Sequence, residues 1–308
     1  MRREVLLGAA ILSLGALLPS LGTRFASAHP SNTSAFHASK RSPGRRAQGV
    51  RPCPADMVRV GSALCVDRYE AHIVDRRSGH ATSPYYSANP LLAVRDHAEW
   101  VKRSQRTGPY RMHDFALPPL PEFQRETEFV PVARSEPDVL PSAYVDYYVA
   151  RKACANADKR LCTHDEWLSA CRGSERRRYP YGLQYEPGRC NVTRGLHPAS
   201  VLHTPGDFGG TDPRMNLVSD ARLALLLRTG TLDECVSPWD DDGIYDMVGN
   251  LDEWVEDPRG TFLGGFYARD MPWGCDARID IHSADYYDYS TGFRCCRDAL
   301  KLASGRDR

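Results

Sequence analysis

Gly243-Ile-Tyr-Asp-Met-Val-Gly-Asn-Leu-Asp-Glu-Trp254, read together with Gly292-Phe-Arg-Cys-Cys296, is the part of this sequence that says most about its fold. Its polar residues Asp246, Asn250 and Glu253 surround Gly249 at positions that fit neither an amphipathic helix nor an alternating strand. Carboxylate and amide oxygens around a glycine turn, completed by backbone carbonyls, are the ligands that a hard cation such as calcium takes. The alternative is a turn held by ordinary Asx hydrogen bonds. Either way, the stretch predicts an ordered, irregular loop.

Charge and composition limit the classes of partner. The chain has 308 residues, with 40 Lys and Arg against 39 Asp and Glu, so nothing in its net charge supports nucleic-acid binding. Residues 29–52 are rich in Ser, Arg, Ala and Pro, which predicts a disordered basic linker. Its cations, with no acid among residues 37–51, indicate either a solvated linker or a tether to an anionic surface.

The N-terminus predicts export. Arg2 and Arg3 precede an apolar run over residues 5–18, and Ala26-Ser27-Ala28 offers small residues where a signal peptidase cleaves. We therefore expect a signal peptide over residues 1–28 and no membrane span. The expected location is periplasmic, secreted or in the cell envelope.

The cysteines support an oxidising compartment. All ten lie beyond the predicted signal, and an even number in an exported chain favours disulfides. Zinc is the competing interpretation, but the sequence has no Cys-x-x-Cys pair and the spacings are long and irregular.

Local patterns predict few regular elements. Two short strands, residues 57–60 and 63–69, flank a Gly61-Ser62 turn. Residues 78–141 contain many prolines and look like a long loop that wraps the domain surface. One helix, capped by Ser142, is expected to run to Asn156. A second begins at Thr163, where Glu166 completes a capping box.

Several motifs, in this order, resemble the formylglycine-generating enzyme (sulfatase-modifying factor) family. They are Leu64-Cys-Val-Asp-Arg-Tyr-Glu70, Cys154-Ala-Asn-Ala-Asp-Lys-Arg-Leu161, Thr163-His-Asp-Glu-Trp167, Ala170-Cys-Arg-Gly173, Tyr179-Pro-Tyr-Gly182, Tyr245-Asp-Met-Val-Gly-Asn-Leu-Asp-Glu-Trp254, Gly264-Gly265 and Gly292-Phe-Arg-Cys295. The resemblance implies one α+β domain over residues 53–300, a formylglycine-generating-enzyme-like variant of the C-type lectin fold with low regular secondary structure. Residues 301–308 are then a tail.

The resemblance also implies two disulfides, Cys154 with Cys295 and Cys171 with Cys275. Proximity in sequence suggests Cys53 with Cys65 and Cys190 with Cys235, which leaves Cys162 with Cys296. Bridges that close long loops stabilise a domain by about 2–4 kcal/mol each.

Calcium is the cofactor that the resemblance implies, in a structural role. Asp246 and Glu253 would bind it through their side chains, and Gly249 and Leu251 through their carbonyls. A second site would use Asn191 and the carbonyl of Val192. Its acidic ligand is left open among Asp207, Asp220 and Asp233.

The catalytic copper of the family is not expected here. The family oxidises a cysteine of a partner sulfatase to formylglycine with oxygen and copper(I), a soft ion held by two thiolates five residues apart. Arg269 stands at the first of these positions, and Cys275, the one cysteine nearby, is the expected disulfide partner of Cys171. Leu263, Phe266 and Asp252 also depart from residues beside the family's site.

A rearranged metal site is the alternative, with Cys275, His282 and Asp285 as candidate catalytic residues. His97 with His113, or His197 with His203, could in principle bind a metal, but we expect them to be loop and surface residues. Aromatic residues in this region form either a binding surface or core, namely Tyr267, Trp273, Tyr286, Tyr287 and Tyr289.

The leading hypothesis is therefore an exported, disulfide-braced, calcium-supported monomer that binds a protein, peptide or glycan. The alternative is an oxygen-dependent oxidoreductase of the formylglycine-generating or non-heme iron family with a rearranged metal site. A structural envelope component is a third hypothesis. The sequons at Asn32 and Asn191 matter only if the host glycosylates them.

Overall fold

Two small four-stranded sheets organise the fold. The computed structural model describes residues 51–104, 114–204, 206–207, 209–220 and 223–301. The helices in these ranges are α1 (Pro90–Ser104), α2 (Tyr147–Asn156), α3 (His164–Arg172) and α4 (Pro198–Leu202). The strands are β1 (Met57–Val60), β2 (Leu64–Asp67), β3 (His72–Asp75), β4 (Pro131–Arg134), β5 (Arg160–Leu161), β6 (Ser219–Asp220), β7 (Leu223–Ala224), β8 (Val236–Trp239), β9 (Asp242–Tyr245), β10 (Asp252–Trp254), β11 (Phe262–Leu263), β12 (Arg278–Ile279), β13 (Thr291–Phe293) and β14 (Cys295–Asp298).

The first sheet joins the two ends of the domain. Its strand order is β1-β2-β14-β5, and the predicted β1–β2 hairpin around Gly61-Ser62 is confirmed. In β14, Cys296 lies opposite Val66 of β2 and Arg160 of β5. The Gly-Phe-Arg-Cys-Cys segment thereby closes the domain onto its own N-terminal strands.

The second sheet brings together the two segments that opened the sequence analysis. Its order is β12-β11-β10-β13, and the parallel β10–β13 pair aligns Glu253 with Gly292. On the other side of β10, Glu253 lies opposite Leu263. Three segments that contain or adjoin the family motifs therefore meet at β10.

Both predicted helices form, with one correction at a helix start. In α3, Thr163 and Glu166 form the capping box, because the Thr163 hydroxyl and the Glu166 carboxylate each bond the other's backbone N–H. In α2 the N-cap is Asp146, whose Oδ1 accepts from Val149 N at 2.7 Å. Ser142, the predicted cap, instead accepts a hydrogen bond from Ile73 N.

The predicted long loop over residues 78–141 is wrong in part. It contains the 15-residue helix α1 and the strand β4, which pairs with β3. Only Ala93, Asp96 and Trp100 of α1 are buried, so the apolar periodicity that marks a helix is weak in its sequence.

Five disulfides brace this framework, and they coincide with the five pairs of the sequence analysis. They are Cys53–Cys65, Cys154–Cys295, Cys162–Cys296, Cys171–Cys275 and Cys190–Cys235. All five bridges lie in or beside hydrophobic clusters of the core. In the described ranges, no helix combines the length and the apolar character that crossing a membrane requires. The predicted signal peptide and almost all of the predicted linker lie outside these ranges.

Candidate functional site

The position of the family's copper site is defined by the loop that follows β11. Cys275 is bonded to Cys171 of α3 across 104 residues, which leaves its sulfur no thiolate to offer. The described residues contain no free cysteine. The loop therefore offers no thiolate to a soft metal ion.

An ion pair lies where the family resemblance places the first copper ligand. Arg269 Nη1 donates to Asp252 Oδ1 at 2.8 Å, and the guanidinium lies 5.0 Å from the ring centre of Phe266. Asp252 is 1% exposed, so burial and the nearby Asp288 raise its pKa to about 7 although Arg269 opposes them. Its second oxygen, Oδ2, has no hydrogen-bond partner among the described residues. Two of the departures from the family pattern thus contact each other, which the sequence analysis did not predict.

Glu253, the next residue, is fully engaged by protein groups. Arg294 donates to both of its carboxylate oxygens, at 2.7 and 2.6 Å, and Trp167 Nε1 donates to Oε2 at 2.6 Å. All three side chains are buried. A cation could use Glu253 as a ligand only by displacing Arg294 or sharing an oxygen with it.

The buried charge around Arg294 is nevertheless unbalanced. Burial and repulsion by Glu253 raise the pKa of Asp246 to about 6, although its bond from Gly230 N and the charge of Arg294 oppose the rise. Burial, followed by repulsion from Asp246 and Glu253, raises the pKa of Glu70 well above its ordinary value. Three carboxylates share one guanidinium, so protons or a cation must neutralise the excess.

The predicted calcium ligands do not form a ready cage. Within the described ranges, no three His, Cys, Asp or Glu side chains are arranged to hold a metal ion. Glu253 is occupied by Arg294, and Asn191 donates to Leu225 O and to Asn250 Oδ1. A calcium ion could therefore bind here only if Glu253 or Asn191 shared or exchanged its present partners. The charge excess is the observation in favour of an ion.

The two predicted calcium segments do lie side by side. Asn250 N donates to Asn191 O at 2.9 Å. Gly249 has φ +87°, and a Cβ there would lie 2.3 Å from Asn191 O and 2.4 Å from the side chain of Val192. The close approach therefore requires glycine. Of the open acids, Asp207 pairs with Arg103, while Asp220 lies in β6.

The candidate pair His282 and Asp285 has separate partners. The His282 ring stacks on Tyr286 with 3.7 Å between centroids, whereas Asp285 accepts a hydrogen bond from Ser283. The geometry therefore places His282 in an aromatic stack, and among the described residues no acid is hydrogen-bonded to it.

The histidines of another candidate pair, His197 and His203, line one cavity, but each ring already contacts other groups. His197 caps α4 through Nδ1 and contacts the Tyr289 hydroxyl at 3.0 Å through Nε2. His203 is buried against Trp100, with Asp212 nearby. His113 lies outside the described ranges.

The candidate aromatic surface divides into core and surface residues. Tyr267 and Tyr289 are buried, and Tyr286 and Tyr287 are partly buried. Trp273 is 63% exposed.

Trp273 is the next residue in sequence after one wall of an open cleft, whose volume is about 560 Å³. That wall is Asp270–Met271–Pro272, and the other is formed by Tyr179, Leu183 and Tyr185. Leu183 is 70% exposed. The sequence analysis did not predict this concentration of apolar side chains at the surface. The Tyr179-Pro-Tyr-Gly182 motif was the available signal, and it was used only for the family resemblance.

Comparisons with known proteins agree with the family resemblance. The pattern of the Sulfatase-modifying factor enzyme 1-like domain matches residues 93–299. The inactive C-alpha-formylglycine-generating enzyme 2 of Bos taurus is 32% identical over 117 residues, 38% of this chain and 32% of the relative. The formylglycine-generating enzyme of Mus musculus is 30% identical over 187 residues, 53% of this chain and 45% of the relative. The chain thus spans less than half the length of these curated relatives.

Solved structures give only distant likenesses. The Major Tropism Determinant U1 variant has a TM-score of 0.40 at 13% identity, covering 82% of this chain and 55% of that one. PvdO from Pseudomonas aeruginosa has a TM-score of 0.35 at 14% identity, covering 79% and 100%. The domain match and the element content confirm the predicted α+β, C-type-lectin-like fold with little regular secondary structure. The chain belongs to the family of the sulfatase-modifying factor enzyme 1-like domain, the formylglycine-generating enzyme family.

Proposed function

We propose that this chain is a non-catalytic member of its family that binds a protein, peptide or glycan ligand. The observation that carries the proposal is the Cys171–Cys275 disulfide, with Arg269 paired to Asp252 where the first copper ligand would stand. Copper(I) requires two thiolates, whereas this loop offers a cationic guanidinium and a sulfur already bonded. One of the matched relatives is itself named an inactive formylglycine-generating enzyme.

The test is a direct assay of the family reaction. The purified oxidised protein is incubated with copper(I), oxygen, dithiothreitol and a cysteine-containing sulfatase peptide, with the mouse formylglycine-generating enzyme as positive control. We expect no aldehyde by mass spectrometry and no stoichiometric copper or iron in the protein. Formylglycine production above the protein-free control would contradict the proposal.

An oxygen-dependent oxidoreductase with another metal arrangement is the alternative, and the same samples test it. Stoichiometric iron or copper with oxygen uptake would favour it. In the described ranges its candidate residues His282 and Asp285 bond other groups, so the geometry gives this alternative no support.

We also propose export and a structural calcium ion, both as the sequence suggested. Five disulfides suit an oxidising compartment outside the cytoplasm. The unbalanced charge of Glu70, Asp246 and Glu253 supports a cation, although Glu253 would have to share an oxygen with Arg294 or release it. N-terminal sequencing of the protein recovered from the host tests cleavage near His29.

A further inference from the structure

The cleft beside the former copper site is built as a rigid receptor. Tyr179 stacks on Tyr181 at 5.5 Å and contacts Tyr185 at 6.0 Å, which fixes one wall. The Tyr179 hydroxyl donates to Pro272 O at 3.0 Å, tying that wall to the other. A cleft whose walls are fixed in advance loses little entropy when it binds a ligand.

A backbone hydrogen bond and a disulfide also hold the second wall, residues 270–272, in place. Cys275 N donates to Arg178 O at 2.9 Å, and the Cys171–Cys275 bridge attaches the loop to α3. Gly274 has φ +58°, and a Cβ there would lie 2.3 Å from Arg178 O. The buried Met271, which belongs to the second wall, lines the cleft.

The rim carries the residue types that dominate binding energy at protein interfaces. Trp273, Leu183 and Tyr185 are among the exposed large apolar residues of the described ranges, and they belong to or adjoin this one cleft. Tryptophan and tyrosine are enriched at interface positions whose truncation costs most affinity. A clustered apolar patch with a polar rim indicates a binding surface.

The charges at the rim select among possible partners. Arg178 donates to a neutral carbonyl, Pro272 O, whereas its neighbour Arg177 pairs with Glu175. In the described part of the chain, no carboxylate pairs with Arg176 or Arg178. Asp270 is the one acidic residue lining the cleft. The Arg176–Arg178 edge is therefore positive and attracts an acidic group.

We propose that this cleft binds an extended peptide segment of a partner protein, with an aromatic or aliphatic side chain beside an acidic one. The apolar side chain would lie against the exposed Leu183, Tyr185 and Trp273. The carboxylate would face Arg178. This inference rests on the proposed binding function and gives it a site and a partner chemistry.

The experiment selects peptides from a phage-displayed random library on the full chain and measures their affinities by fluorescence anisotropy. We expect enriched sequences to carry an aromatic or aliphatic residue next to Asp or Glu. Trp273→Ala and Leu183→Ala should each weaken binding about tenfold or more. Ile281→Ala, which truncates an 82% exposed side chain outside the cleft, is the matched control and should leave affinity unchanged.

The charge requirement has its own readout. Arg178→Gln should weaken the binding of acidic peptides severalfold and reduce the salt dependence of their binding. Peptides with Asn or Gln in place of the acid should bind the variant and the unchanged protein with the same affinity. Circular dichroism confirms that each variant is folded.

The outcomes separate this inference from the proposed function. Enriched peptides whose affinity does not change in Trp273→Ala and Leu183→Ala would overturn the cleft assignment. The proposal that the chain is a binding module would still stand. Binding of a glycan array without any peptide enrichment would overturn the peptide chemistry. Aldehyde formation in the family assay would overturn the proposed function itself.

Discussion

The Arg269–Asp252 ion pair shows how a charged side chain is accommodated where the family resemblance places a copper ligand. A guanidinium needs a counter-charge when it replaces a thiolate beside the core, and the buried Asp252 supplies it at 2.8 Å. Removing Arg269 alone would leave the buried Asp252 carboxylate without its counter-charge, which is destabilising.

Arg269→Met should therefore destabilise the protein by an amount that depends on pH. We expect a loss of about 1–3 kcal/mol at pH 8, discounted because Arg269 is partly exposed. The loss should shrink below pH 6, since the pKa of Asp252 is already raised to about 7 and rises further without its partner. Denaturant unfolding at both pH values measures it, and adding Asp252→Asn should recover most of the loss. Equal losses at pH 5 and pH 8 would contradict this account.

Restoring the missing cysteine should not restore copper binding. Arg269→Cys introduces one thiol, but Cys275 remains bonded to Cys171, so the two-thiolate geometry is still absent. Competition with bicinchoninate should show copper(I) affinity no tighter than that of a single surface thiol. A tight stoichiometric copper complex would mean that the bridge opens readily.

At the scale of elements, the cap of α2 contains a buried charge. Burial raises the pKa of Asp146 to about 6 even though Val149 N and Tyr148 N donate to it. A carboxyl whose folded pKa lies above its unfolded value of about 4 loses stabilising free energy as pH rises through 4 to 6. Asn can keep the cap without carrying the charge.

Asp146→Asn should therefore raise the free energy of unfolding at pH 7.5 by about 1–3 kcal/mol and change little near pH 4. Asp146→Ala is the control, because it removes the charge and the cap together and should fall about 1 kcal/mol below Asn. Urea unfolding at the two pH values gives both numbers. A stability gain for Asn that persists undiminished at pH 4 would reject the titration argument.

Elements with strong local signals were predictable, and those defined by tertiary contacts were not. The β1–β2 hairpin and the capping box of α3 follow from turn and cap chemistry within a few residues. Helix α1 was missed although Asn89 caps it and Pro90 suits its first position. Its apolar residues do not mark one buried face, because Leu91, Val94 and Val101 are exposed. The Asp252–Arg269 contact joins the first residue of β10 to the loop after β11, 17 positions away, and no local pattern encodes it.

At the scale of the molecule, covalent bridges compensate for sparse secondary structure. The Cys171–Cys275 bridge spans 104 residues and Cys53–Cys65 spans 12. Constraining the unfolded chain stabilises the fold by about 5 kcal/mol for the longer loop and about 3 kcal/mol for the shorter.

Replacing both cysteines of a bridge by alanine tests whether the bridge that closes the longer loop stabilises the fold more. We expect the Cys171→Ala, Cys275→Ala variant to lose more stability than the Cys53→Ala, Cys65→Ala variant, by about 2 kcal/mol. The longer bridge also holds the cleft wall, so peptide affinity should fall in the first variant only. Equal losses in both variants would show that local packing, rather than loop closure, sets the contribution of each bridge.

The charge excess around Arg294 gives the last prediction, which concerns calcium. Three carboxylates and one guanidinium leave negative charge that, at neutral pH, either protons or a cation must balance. A cation that binds only the folded state raises the melting temperature by mass action. We expect millimolar calcium to raise it by several degrees over the value in EGTA at pH 7.5. The gain should fall at pH 5, because Asp246, with a pKa of about 6, is then largely protonated. Asp246→Asn should abolish the calcium response, whereas Asp285→Asn, a change at an exposed acid, should not. Identical melting curves in calcium and EGTA would mean that protons alone balance the cluster, and that Arg294 has taken over the role that the family resemblance assigns to the ion.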